Sequence, residues 1–160
     1  MKIIIIYFSL TGNTKKVAEK IYKILKTKGI EVSSFRLPSG EKKSFLRQCF
    51  EALVGKTYHI EKTPQIENYN VVFIGSPVWA GKITPIVNSF LKECNLSNKN
   101  VFLFTTYGSG FAKSNAMKKF EEIVKEKGGN LIGKIEIQGK KVEQSEDKIK
   151  EELEKCLKEL

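Results

Sequence analysis

Met1-Lys2-Ile3-Ile4-Ile5-Ile6-Tyr7-Phe8-Ser9-Leu10-Thr11-Gly12-Asn13-Thr14 opens the chain, and its reading decides the fold. Four consecutive β-branched isoleucines without polar alternation describe a strand buried on both faces, as the central strands of parallel sheets are. Residues 2 to 8 are that strand. The run is too short for a secretory signal, and no small-residue cleavage site follows it. Beyond the polar residues 9 to 14, Val17, Ala18, Ile21, Tyr22 and Leu25 recur at helical spacing. Gly29 stops that helix after the basic last turn Lys26-Thr27-Lys28.

Working outward, residues 31 to 36 alternate and read as an outer strand ended by Pro38. Val71-Val72-Phe73-Ile74 and Val101-Phe102-Leu103-Phe104 are short unbroken apolar runs, the mark of interior strands. Between them Pro85 suits a first helical turn capped by Thr84, and Ile86, Val87, Phe90, Leu91 and Cys94 form one apolar stripe. A further helix is expected over 114–128 on Ala116, Met117, Phe120, Ile123 and Val124, with Gly128-Gly129 ending it before a strand at 130–138. Ser145 is the expected cap of a last helix facing inward with Ile149, Leu153, Cys156 and Leu157. Phe45, Leu46, Cys49, Phe50 and Leu53 suggest a short helix, and Gly55 to Lys62 an extended connector. Five short strands alternating with helices must run parallel, because each crossover returns the chain to the same end of the sheet. The expected architecture is one α/β domain over residues 1–160, a three-layer sandwich with a five-stranded parallel sheet.

Composition narrows the chemistry. The chain has 160 residues, 41% apolar and 29% charged, enough to bury a core without disulfides. Its formal charge of +10 favours anionic ligands or acidic partners. Asp147 is the only aspartate and His59 the only histidine, so aspartyl-phosphate relays, two-metal phosphotransfer and multi-histidine metal sites are excluded, and no metal is expected. Cys49, Cys94 and Cys156 are odd in number and lack any C-x-x-C pair, which fits a reduced, cytoplasmic chain. No run approaches the roughly 18 apolar residues of a membrane span. The lysines are dispersed, with no dense basic run or nucleic-acid motif, so neither nucleic acid nor membrane is an expected partner.

In open α/β sheets ligands bind beyond the carboxyl ends of the strands. Three segments leave strand ends there. Ser9-Leu10-Thr11-Gly12-Asn13-Thr14 offers hydroxyls, a glycine and the free amides of a helix N-terminus, a nest for a phosphate. Neither G-x-x-x-x-G-K-[ST] nor G-x-G-x-x-G occurs in it, which argues against nucleotide hydrolysis and a standard dinucleotide site. Ser76-Pro77-Val78-Trp79-Ala80-Gly81-Lys82 carries the only tryptophan, expected in a loop among small residues and available to a planar aromatic ligand. Thr105-Thr106-Tyr107-Gly108-Ser109-Gly110 adds a second aromatic and glycines that let backbone approach a ligand. Together the three describe a site for a flat ring system with a phosphate tail. His59, Cys94 and Cys156 read as surface or packing residues.

These residues resemble the flavodoxin family over essentially the whole chain. The family's phosphate loop, [ST]-x-T-G-x-T after the first strand, is matched by Ser9, Thr11, Gly12 and Thr14. Residues 74 to 82, followed by Thr84-Pro85, are similar to the isoalloxazine loop of short flavodoxin-like proteins. The resemblance implies a 2-1-3-4-5 strand order and tightly bound, non-covalent FMN. Ser9 to Thr14 would hold its phosphate, Trp79 would lie beside or over the ring, and residues 76–82 and 106–110 would bracket it. It also implies a peptide near the flavin N5 that can flip, here one adjoining Gly81.

The chain departs from the family in being basic and in having no carboxylate in residues 105 to 113. A positive surface relaxes the penalty on an anionic reduced flavin, so the expectation is a couple less reducing than in acidic relatives, and redox partners with acidic docking surfaces. The resemblance implies a low-potential electron carrier between redox proteins. The alternative is an FMN-dependent oxidoreductase on the same fold, acting on quinones, nitro compounds or protoporphyrinogen with NAD(P)H. A phosphorelay receiver shares the topology but needs an aspartate at the third strand's end, where this chain has Gly75-Ser76-Pro77.

Overall fold

The computed structural model describes residues 1–38, 60, 63–108 and 113–160. The helix expected from Phe45 to Leu53, most of the connector after it, Cys49, His59, Ser109 and Gly110 lie outside the described residues. The isoleucine run forms β1 (Lys2–Tyr7), followed by α1 (Asn13–Thr27) and β2 (Glu31–Arg36). Then come β3 (Val71–Trp79), β4 (Lys82–Ile83), α2 (Pro85–Glu93), β5 (Asn100–Tyr107), α3 (Lys113–Glu126), β6 (Asn130–Gln138) and α4 (Glu146–Lys158). A 3-10 turn, Gly139–Lys141, joins β6 to the last segment.

The sheet runs β2-β1-β3-β5-β6, all parallel, with β4 folded back antiparallel on β3. Counting only the parallel strands, this is the expected 2-1-3-4-5 order. Alternate residues of β1 point to opposite faces and there find different partners. Ile3 and Ile5 join Val17, Ile21 and Leu25 of α1 and Ile149 and Leu153 of α4 in one core. Ile4 and Ile6 join Phe90 and Leu91 of α2 and Met117 and Phe120 of α3 in the other. Ile3, Ile5 and Ile6 are fully buried, each stabilising the fold by about 1.5–3 kcal/mol. The unbroken apolar pattern therefore follows from two helical layers closing on one sheet.

Several expected details change. β3 continues to Trp79 and β5 to Tyr107, because parallel pairing extends through Ser76↔Thr105 and Pro77↔Thr106. Residues 76 to 79 and 105 to 107 are thus strand, not loop. The hairpin β3–β4 is closed by Ala80 and Gly81, both with positive φ (47° and 75°), the combination that matches a two-residue turn to strand twist. A β-strand of two residues carries too little pattern to be read from sequence. The expected caps also differ. The Thr84 hydroxyl faces Ser76 Oγ at 3.2 Å and makes no cap bond, and Ser145 Oγ donates to the Val142 carbonyl at 2.7 Å. In both cases a tertiary or local acceptor outcompetes the helix end. Gly29 does end α1, with Gly29 N–H to Lys26 C=O and Ile30 N–H to Leu25 C=O.

Candidate functional site

The carboxyl ends of β1, β3 and β5 lie side by side, and the chain segments leaving them build the candidate site. After β1, Phe8 N–H still bonds Gly75 C=O at 3.1 Å, and Ser9 then turns the chain toward α1. Gly12, at φ 93°, precedes the helix in a left-handed conformation that a side chain would strain. No side chain caps the helix there, and its first turn holds no acidic residue. Its hydrogen-bond ladder begins with Lys16 N–H to Gly12 C=O at 2.9 Å, so the amides before Lys16 have no partner inside the helix. By contrast α4 carries Glu146 and Asp147 in its first turn. α1 therefore presents an N-terminus suited to an anion.

Ser9 adds to this. Its side chain is 1% exposed, yet its Oγ has no hydrogen-bond partner. A buried hydroxyl without a partner costs about 1–3 kcal/mol, which a ligand oxygen in the loop would offset. An orphaned hydroxyl, free helix amides and a left-handed glycine fit the phosphate of FMN. Thr11 and Leu10 are exposed on the rim of the loop, and Asn13 lies half-buried against Gly139. Thr14 is buried, its Oγ1 2.7 Å from Thr106 Oγ1. That bond joins the first segment to the third. Either hydroxyl is the donor, and the other keeps its own proton to offer.

The two lysines that follow the loop point elsewhere. Lys15 Nζ lies 3.7 Å from Glu19, and Lys16 Nζ 2.6 Å from Glu143, holding that carboxyl below its usual range. Among the described residues the cation that reaches the loop is Arg36, at the end of β2, whose Nη2 donates to the Ser9 carbonyl at 2.7 Å. Sequence reading placed Arg36 on the outer strand without assigning it a role. Its position at a strand's carboxyl end, level with Tyr7 in the β1–β2 register, was the available signal.

The second segment departs most from expectation. Trp79 is 7% exposed and belongs to the core on the α2 and α3 face, with Phe8 packed against it edge to face at 5.8 Å. At that exposure little of the indole is left for a ligand to stack on. The small neighbours that suggested an exposed ring are the turn residues of the hairpin, and the ring packs against Phe8, just past the end of β1. Ser76 is buried, its Oγ donating to Pro77 C=O at 2.9 Å and accepting Thr84 N–H at 3.0 Å. Pro77 and Val78 are half-buried, Ala80 and Lys82 are exposed, and Gly81 is partly covered.

In the third segment Thr106 is buried, Tyr107 half-buried and Gly108 exposed, with Gln138 Nε2 donating to the Gly108 carbonyl at 3.2 Å. A cavity of about 300 Å3 lies here, between Tyr107, Gln138, Lys141, Gln144 and Lys148. Two further orphaned atoms lie at this end of the sheet, Thr105 Oγ1 and Glu136 Oε2. They are register partners across β5 and β6 and so share a face. Among the described residues, no group of three or more His, Cys, Asp or Glu gathers as a metal site.

Comparison with known proteins agrees with this geometry. The family profile described as flavodoxin matches residues 2–156. A flavodoxin-like domain-containing protein of Clostridioides difficile, BilS, is 32% identical over 156 residues, 96% of this chain and 74% of that protein. An uncharacterized protein of Methanocaldococcus jannaschii is 34% identical over 80 residues, 49% of this chain; the match spans only about half, 53%, of that protein's length. Among solved structures, a Lactobacillus acidophilus flavoprotein in complex with FMN superposes with TM-score 0.65 at 25% identity, covering 89% of this chain and 97% of that one. Oxidised flavodoxin 2 of Bacillus cereus shares the fold over the full length of both chains, with TM-score 0.68 and 21% identity.

Proposed function

The chain belongs to the flavodoxin family, and from that premise we propose that it binds FMN without a covalent link and serves as a low-potential electron carrier between redox proteins. The observation that carries the reading is the Ser9–Thr14 loop, where a buried, unpartnered hydroxyl meets the open N-terminus of α1. Ser9 Oγ and the amides around Gly12 to Thr14 would hold the phosphate, with Thr11 closing over it. The edges of residues 76–82 and 106–108 would border the ring. FMN supplies the one- and two-electron chemistry when bound.

The protein's part is binding, orientation and electrostatics. Ala80 and Gly81 lie at the tip of a hairpin whose stem is fixed to β3 by the pairs Val78↔Ile83 and Trp79↔Lys82, which gives the turn a rigid base. The net charge of +10 supports an acidic docking partner and a reduced state less disfavoured than in acidic relatives. Among the described residues no helix is long and apolar enough to cross a membrane. The free thiols of Cys94 and Cys156 support a reducing, cytoplasmic setting.

The absorption spectrum of the purified chain tests the cofactor. Flavin bands, with released flavin identified as FMN by mass, are expected. Mixing the holoprotein with NADH or NADPH tests the role: a carrier oxidises neither at a useful rate without a reductase, whereas rapid turnover alone would make it an oxidoreductase.

A further inference from the structure

The anion loop takes no lysine from its own helix, because Lys15 and Lys16 turn to Glu19 and Glu143. It takes an arginine from another strand. Among the described residues β2 pairs only with β1, and Arg36 is its last residue. Beyond it the chain is tied back by Leu37 N–H to Tyr7 C=O at 2.8 Å, which brings Arg36 alongside the turn at Ser9. From there its Nη2 bonds the Ser9 carbonyl at 2.7 Å.

This contact has two consequences. The Ser9 carbonyl would otherwise present the negative end of its dipole beside a loop built for an anion, and the guanidinium neutralises it. The same residue's Oγ is the buried hydroxyl without a partner, so fixing the Ser9 carbonyl also fixes the peptide from which that hydroxyl projects. Arginine suits the task because its planar guanidinium carries several N–H donors, so those not bound to Ser9 keep a fixed fork geometry.

We propose that Arg36 is the positioning residue through which the site selects phosphorylated over unphosphorylated flavin, locking Ser9 in place and setting a permanent positive charge behind the anion loop. This rests on the FMN reading given above. The ligand feature Arg36 recognises is the phosphomonoester dianion; the ring makes no demand on it. Arg36 is exposed at the end of β2 and lies outside both apolar cores, so replacing it should leave the fold intact.

The test is a pair of titrations on the flavin-free full-length chain, with FMN and with riboflavin, for the natural protein, R36K and R36Q. For R36Q the loss of one charge-assisted hydrogen bond and its charge is expected to weaken FMN about tenfold or more, while riboflavin affinity stays within about twofold. R36K, which keeps the charge without the fork, should fall between. Added salt should weaken FMN binding more in the natural protein than in R36Q. Equal weakening of both flavins, or unchanged FMN affinity in R36Q, would overturn the role of Arg36 while leaving the cofactor assignment standing. A natural protein that binds neither flavin would overturn the assignment itself and this inference with it.

Discussion

Thr14 Oγ1 and Thr106 Oγ1 lie 2.7 Å apart inside the protein, joining residues 92 positions apart in the chain. The first belongs to the opening turn of α1 and the second to the end of β5, so one buried hydrogen bond locks the Ser9–Thr14 segment to the third segment. Replacing either threonine with valine keeps the shape and strands the other hydroxyl. Thr14→Val and Thr106→Val should each cost about 1–3 kcal/mol in urea unfolding. The double variant should lose clearly less than the two costs combined, since no stranded hydroxyl remains. Additive losses would show that the bond does not hold the two segments together.

Gly75 tests how tightly the sheet is packed beneath the site. A Cβ added there would stand 2.1 Å from Phe104 Cζ on the adjacent strand. Gly75→Ala should therefore destabilise by about 1–3 kcal/mol through overpacking. Shortening the ring with Phe104→Leu in the same chain should recover part of that loss. A thermal unfolding midpoint for the double variant below that of the natural protein by the full sum of the two single-variant shifts would contradict the packing account.

Trp79 separates core from platform. As a core residue, it should emit blue-shifted fluorescence in the flavin-free protein, and Trp79→Ala should cost about 3–5 kcal/mol with or without flavin. A loss below about 1 kcal/mol, with red-shifted emission from the native protein, would return the indole to the surface role its sequence context suggests.

The two described cysteines give a pH signature. Burial raises the Cys94 thiol from 9.0 to about 11 and the Cys156 thiol to about 12. Between about pH 9 and 11 the unfolded chain releases these protons and the folded chain keeps them, so stability present below pH 9 falls as pH rises through that window. Urea midpoints of the natural protein should drop more steeply from about pH 8 to about pH 10.5 than those of the Cys94→Ala/Cys156→Ala variant. Parallel slopes would mean the thiols are already open to solvent.

The sheet was legible because its signal is carried many times over: Ile3 to Ile6, Val71 to Ile74 and Val101 to Phe104 each need two apolar faces, and helical stripes separate them. The Ser9–Thr14 turn was legible as the link from β1 to α1, because hydroxyl residues and a glycine favour a turn before a helix. Trp79 was misplaced for a physical reason. Ala80 and Gly81 look like loop residues in sequence, yet serve a turn of two residues that holds Trp79 in the last pair of a hairpin. Thr84 and Ser145 looked like caps, but nearby acceptors claim their hydroxyls, a choice fixed only by tertiary contacts. Arg36 went unassigned because it reaches Ser9 from a neighbouring strand, through a register that local pattern does not contain.

The most direct test of the central claim is a structure of the chain crystallised with FMN. The phosphate should lie in the Ser9–Thr14 loop, within hydrogen-bond distance of Ser9 Oγ and the first amides of α1. A phosphate bound elsewhere, for instance against Lys141 and Lys148 in the cavity beside Tyr107, with the Ser9 loop empty, would contradict it.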